Sequence, residues 1–120
     1  MLELMDGIQL FNEGSYFEAH DHFEDMWMEA EKSEKDFYQG LVQVSVGSYH
    51  LICGNHTGAL SQYRKGIVKL EKYENVEENI NLGKFLVEIK PFIEKIIMFN
   101  SKKISNIEVA NIPIIVKLNH

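Results

Sequence analysis

The residues best suited to chemistry lie on the second predicted helix, where His20 and Glu24 are one helical turn apart. On a helical wheel His20 falls among aromatic side chains of the inward face, and Glu24 lies at the edge of that face. A buried carboxylate without a partner is strongly unfavourable, so an inward-facing Glu24 needs one. His20 is the nearest candidate, and the sequence therefore predicts a His20–Glu24 pair.

A second polar stripe lies on the predicted central helix and contains Gln39, Gln43 and His50. These three positions fall within roughly 40° of one another on a wheel of 3.6 residues per turn. If this stripe meets His20 and Glu24, two imidazoles, one carboxylate and two amides converge in a small volume. We therefore predict an internal cluster of His, Glu and Gln side chains between the two helices.

Three kinds of chemistry fit such a cluster, and the residues alone leave all three open. It can be a hydrogen-bonded structural network, in which the polar groups satisfy one another. It can be a metal site, in which His20, Glu24 and His50 hold a divalent ion such as Zn, Fe or Mn. It can also be a small-ligand or acid–base pocket that uses a histidine tuned by the carboxylate. The His-x-x-x-Glu spacing matches neither the His-Glu-x-x-His nor the Glu-x-x-His metal motif.

Apolar periodicity predicts the helices that position these residues. The first helix ends at Asn12-Glu13-Gly14, and the second begins with a Ser15–Glu18 capping box and runs to about Glu31. The third, over 37–53, is apolar almost all round and is predicted to be the buried central helix. Its glycines at 40 and 47 fall on one side, where we expect another helix to approach closely.

The second half of the chain predicts two more helices and an arm. The fourth helix follows a cap at Asn55 or Thr57, and the fifth covers 82–99, with a kink or a restart at Pro91. The β-branched segment 112–118 is expected to be an extended arm that docks on the helices. The predicted fold is therefore all-α: one domain over 1–120, a compact bundle of about five helices with an extended C-terminal arm.

Composition limits the classes of function. The 120 residues are 45% hydrophobic and 25% charged, which is typical of one soluble globular domain. The single cysteine, Cys53, excludes an intramolecular disulfide. A net charge of −6 argues against a nucleic-acid partner, and no segment is apolar and long enough to suggest a membrane span or a signal peptide. We therefore expect a cytoplasmic protein.

The two halves of the chain carry opposite net charge. Residues 1–60 contain eleven acidic and two basic residues, a net of −9, whereas residues 61–120 contain seven acidic and ten basic residues, a net of +3. Acidic and basic helices can pack beside one another within one domain. They can also form complementary surfaces of a homodimer, so self-association is a second interpretation of the same asymmetry.

Three linked blocks carry a family resemblance: Phe11 to Trp27 (FNEGSYFEAHDHFEDMW), Phe37 to Gln43 (FYQGLVQ), and Tyr49-His50-Leu51 with the glycines that follow. Over about residues 8–73 the chain resembles a small prokaryotic family known as domain of unknown function 309. The resemblance implies a compact all-helical bacterial protein with no established activity. Its motif carries over onto six positions: Glu18, His20, Glu24, Trp27, Gln43 and His50. Where the family commonly has Glu after the histidine and an arginine near the end of the third helix, this chain has Asp21 and Cys53.

These observations favour a non-catalytic binding or interaction module built around the His20/Glu24/Gln43/His50 cluster. Its expected partner is a small molecule or a protein, and a second copy of the chain is one such partner. The enzyme alternative is a metal-dependent hydrolase or an acid–base enzyme that uses His20, Glu24 and His50.

Overall fold

The protein is represented by a computed structural model that describes residues 2–118. Five helices follow one another along the chain: α1 (Leu4–Asn12), α2 (Tyr16–Glu29), α3 (Lys35–Ile52), α4 (His56–Glu71) and α5 (Leu82–Asn100). Short 3₁₀ turns lie at Lys32–Glu34 and Val109–Asn111. The all-α class, the five helices and the bundle packing are confirmed. No helix within 2–118 combines the length and hydropathy that crossing a membrane would require.

The predictions for the helix ends and for Pro91 are confirmed in one case and wrong in two. Asn55 caps α4, because its side chain accepts a hydrogen bond from the backbone amide of Gly58 at 2.9 Å. Of the two predicted caps, Asn55 and Thr57, Asn55 is therefore confirmed. The capping box at Ser15 is wrong, because the Ser15 side chain makes no capping hydrogen bond. The restart at Pro91 is also wrong: α5 continues through it. Pro91 is exposed, so the backbone carbonyl that loses its partner can be solvated by water.

Glycines allow α3 and α4 to approach each other closely. A Cβ atom added to Gly40 would lie 2.8 Å from the Leu70 side chain, and one added to Gly66 would lie 2.9 Å from the Gly40 carbonyl oxygen. At Gly47 an added Cβ would lie 2.9 Å from the Tyr63 ring. The predicted close approach at Gly40 and Gly47 is therefore confirmed, and Gly66 completes it from the α4 side.

The core is aromatic and aliphatic, with one polar pair inside it. Phe11, Phe23, Tyr63 and Phe85 are fully buried, and the rings of Phe11 and Phe85 meet edge to face at 6.0 Å. The Tyr63 hydroxyl lies 2.7 Å from Ser48 Oγ, which in turn donates to the Val44 carbonyl at 2.9 Å. Because each polar atom has a partner, this pair is compatible with burial.

The C-terminal arm packs where the chain enters α2. Both backbone groups of Ile115, which is fully buried, hydrogen-bond the Asn12 side chain, at 2.7 and 2.8 Å. Further along, the Asn81 amide donates to the Val116 carbonyl at 2.9 Å, and Lys117 forms an isolated antiparallel bridge with Ile80. The extended arm is thus present, and it pairs briefly with the segment before α5 as well as docking on helices.

Candidate functional site

His20 lies between two carboxylates on α2. Its Nε2 is 3.3 Å from Glu24 Oε2, and its Nδ1 is 3.3 Å from Asp21 Oδ1. The predicted His20–Glu24 contact is therefore formed. The expectation that Glu24 is buried is wrong, because its side chain is 52% exposed while that of His20 is 22% exposed. Water thus solvates the carboxylate, and its position needs no internal partner.

An open groove with aromatic walls lies beside His20, between α2 and α3. Phe17 and His20 of α2 and Val46 and Tyr49 of α3 line a cavity of about 160 Å³, which we call the aromatic groove. The Phe17 ring centroid lies 5.6 Å from that of His20 and 5.4 Å from that of Tyr49. Phe17 is 48% and Tyr49 is 36% exposed, so two aromatic rings meet in contact with solvent. Exposed aromatic surface of this kind is a common feature of binding sites.

The polar stripe of α3 faces a different neighbour. Gln43 Oε1 accepts a hydrogen bond from Lys69 Nζ of α4 at 3.0 Å. His50 Nδ1 lies 3.5 Å from the side-chain amide of Asn55, in the turn that leads to α4. The predicted convergence of His20, Glu24, Gln43 and His50 is therefore not formed. The physical reason lies in the glycines: Gly40 and Gly47 must face α4, and Gln43, one turn from each, turns with them.

The three-ligand metal centre needs the same convergence. Of its predicted ligands, the structure brings together only His20 and Glu24, and His50 lies in a separate contact. Across residues 2–118 no group of three His, Cys, Asp or Glu side chains is arranged to hold a metal ion. The expectation of a Zn, Fe or Mn site on His20, Glu24 and His50 thus lacks the geometry that such ions require.

The two remaining motif residues border the groove and the α2–α3 turn. Trp27 is half-buried, and the ammonium of Lys35 lies 4.8 Å from the centroid of its ring, a cation–π contact that ties the end of α2 to the start of α3. Glu18 is exposed near Tyr49. A hydrogen bond with the Cys53 side chain raises the pKa of Tyr49, and the negative charge of Glu18 adds a smaller effect in the same direction.

The sequence reasoning missed Val46 and Tyr49 and gave Phe17 no role in a site. The available signal was that α3 is apolar all round although only part of its surface can be covered by neighbours. On the side of α3 that neither α2 nor α4 covers, four residues are partly or fully exposed, and the exposed Cys53 follows directly after the helix; the five positions have alternating spacings of three and four. We call them the α3 seam: Gln39, Val42, Val46, Tyr49 and Cys53.

One family comparison bears on this region. The family model described as "Domain of unknown function (DUF309)" matches residues 4–62. The expected range is 8–73, so the match begins four residues earlier and ends eleven residues earlier. The matched segment contains α1, α2, α3 and the start of α4, and hence both walls of the aromatic groove. No curated protein matches the chain. The six motif residues all lie within the matched segment, so residues 4–62 are similar to the DUF309 family, as the motif predicted.

Proposed function

We propose that this protein is a non-catalytic, cytoplasmic interaction module, and that it docks a partner protein on the aromatic groove and the α3 seam. The observation that carries the proposal is the exposure of Phe17 and Tyr49, whose rings contact each other at the surface. Aromatic side chains contribute large contact areas at little entropic cost, and they are enriched at protein interfaces.

The setting of His20 supports the same role. Its ring forms one wall of the groove, and its two nitrogens lie near Asp21 and Glu24. The two carboxylates contact the edge of the ring, which lies beside the Phe17 ring at an interplanar angle of 60°. A partner's side chain entering the groove would therefore meet three rings, with carboxylates at the edge.

Site-specific photocrosslinking tests this proposal. A photoreactive benzoylphenylalanine replaces Phe17, and in a control it replaces Val87, which is 72% exposed on α5. After irradiation in cells, we expect position 17 to give an adduct with one defined protein, identified by mass spectrometry, while position 87 gives none. Absence of a protein adduct at position 17, or the same adducts from both positions, would contradict a docking role for the groove.

The enzyme alternative has one observation in its favour, the His20–Glu24 contact at the edge of a cavity. In this alternative, His20 acts as a base or metal ligand and Glu24 tunes it. Elemental analysis of protein purified without a histidine tag tests the metal form. Stoichiometric metal that is lost in His20→Ala would favour the alternative, whereas substoichiometric metal that His20→Ala leaves unchanged would remove it.

A further inference from the structure

The surface around the α3 seam has an acidic border on one side. Asp21 and Glu24 of α2, which we call the acidic rim, contact His20 in the aromatic groove and are 58% and 52% exposed. Because His20 lines the groove together with Val46, the acidic rim borders the seam on its α2 side. The seam is therefore flanked by negative charge along α2.

The opposite border is basic. Lys65, Lys69 and Lys72 follow one another at spacings of four and three, so they share one face of α4. Lys69 hydrogen-bonds Gln43 and Lys72 pairs with Asp36 at 2.7 Å, and both partners belong to α3. This basic rim therefore borders the seam on its α4 side, and the face carries charges of opposite sign on its two edges.

The two rims also lie at the same level along α3. Along the axis of α3, His20 of α2 lies at the height of Val46, since both line the aromatic groove. Tyr63 of α4 lies at the height of Gly47, the next residue of α3. Trp27 is near Lys35 and Leu70 is near Gly40, so α2 and α4 both run antiparallel to α3. Glu24, one turn after His20, is consequently level with the segment between Lys65 and Lys69.

We propose that a second copy of this chain occupies the face, in a two-fold dimer whose axis runs parallel to α3. This arrangement places the acidic rim of each copy opposite the basic rim of the other. An axis perpendicular to α3 would instead place acidic rim on acidic rim, which is unfavourable. The proposal rests on the proposed function, because it names the protein that docks on the groove and the seam.

The spacing of the α3 seam fits the same symmetry. With the axis parallel to α3, the two α3 helices run in parallel and each seam residue meets its own equivalent. Alternating spacings of three and four are those of the contact positions in parallel coiled coils, and Val42 and Val46 would form the apolar centre. Cys53, which is exposed, ends the seam close to its counterpart in the second copy.

Sedimentation equilibrium with charge reversal tests the dimer. We expect the wild-type chain to have twice its mass of 13.9 kDa. Asp21→Lys/Glu24→Lys, or Lys65→Glu/Lys69→Glu, should weaken association about tenfold or more, because like charges then face each other. The variant that carries all four changes should regain association. Circular dichroism verifies that each variant is folded. A dimer that the two-residue variants leave unchanged, or that the four-residue variant fails to regain, would overturn the proposal.

A second measurement uses the wild-type chain, with one conservative variant as its control. A short bismaleimide should join the two Cys53 side chains of the wild-type dimer, and Cys53→Ser should abolish the product. A dimer that cannot be joined through Cys53 would contradict the parallel arrangement. A wild-type chain that stays at 13.9 kDa would overturn self-association altogether, whereas the photocrosslink at position 17 to a different protein would leave the proposed function standing.

Discussion

The imidazole of His20 lies between two carboxylates that remain in contact with water, and this exposure determines what the pair contributes. Exposed ion pairs at a spacing of four residues stabilise a helix only slightly, because solvent screens them. The pair therefore orients a ring at the edge of the groove and adds little to folding. A role at the surface is more consistent with this geometry than a role in the core.

Glu24→Gln should consequently change the free energy of unfolding by less than about 1 kcal/mol. Urea denaturation monitored by circular dichroism measures this value, and Glu88→Gln, which removes a comparable exposed contact with Lys84, is the matched control. A loss of about 2–4 kcal/mol in Glu24→Gln alone would show that the carboxylate belongs to a buried network instead.

Tyr63 is the residue whose titration should affect stability most clearly. Burial raises the pKa of Tyr63 well above its ordinary value of 10.0. The stabilisation is therefore complete below about pH 10 and is lost as the pH rises further, because the unfolded chain then ionises more readily than the folded one. The wild-type protein should therefore lose stability progressively as the pH rises above about 10.

Tyr63→Phe separates this effect from other alkaline changes. The variant should lose about 1 kcal/mol at pH 7, where Ser48 keeps its bond to the Val44 carbonyl, and it should lose less stability than the wild type above pH 10. Urea denaturation at a series of pH values provides the comparison. Parallel pH profiles for the two proteins would contradict the assignment.

At the scale of the helices, the glycine contact between α3 and α4 positions the whole site. It fixes the rotation of α3, and this rotation turns Gln43 towards Lys69 and leaves Val46 and Tyr49 at the surface. The site is thus a consequence of a packing requirement on the other side of the same helix.

Gly66→Ala should destabilise the protein by about 1–3 kcal/mol, because the added methyl group would lie 2.9 Å from the Gly40 carbonyl oxygen. Gly83→Ala is the control: an added Cβ there has its nearest neighbour at 3.8 Å, and better helix propensity should raise stability by about 0.5–1 kcal/mol. Thermal and urea denaturation measure both. Equal effects at the two positions would contradict the glycine-dependent packing.

The number and approximate limits of the helices could be predicted from the sequence, because apolar periodicity and caps such as Asn55 are local signals. The His20–Glu24 contact could be predicted for the same reason. The rotation of α3 could not, since a helix that is apolar all round has no preferred inward face. Gly40 and Gly47 contained the missing information, but only when combined with Gly66, which is distant in sequence.

At the scale of the whole molecule, the C-terminal arm links the end of α1 to the segment before α5. Asn12, at the end of α1, holds both backbone groups of the buried Ile115. Asn12→Ala should cost about 1–3 kcal/mol and make residues near 115 more accessible to proteases, because two backbone groups lose their partner. Gln9→Ala, which removes only an exposed contact with Glu13, is the control. Equal proteolysis of the two variants would contradict the role of Asn12.

The arm and α5 lie on parts of the molecule that the proposed interface does not use. The aromatic groove, the α3 seam and the two rims belong to α2, α3 and α4 and the residues that directly follow them, whereas the exposed Val87 belongs to α5. A partner that docks on this face should therefore perturb one side of the molecule only.

Amide chemical shifts measured as a function of protein concentration test this central claim most directly. In uniformly ¹⁵N-labelled protein, we expect concentration-dependent shifts at Phe17, Val46, Tyr49 and the basic rim, and none at Val87. Changes that are confined to α5 and the arm, or spectra that do not change over concentrations at which sedimentation shows the chain passing from monomer to dimer, would contradict the account.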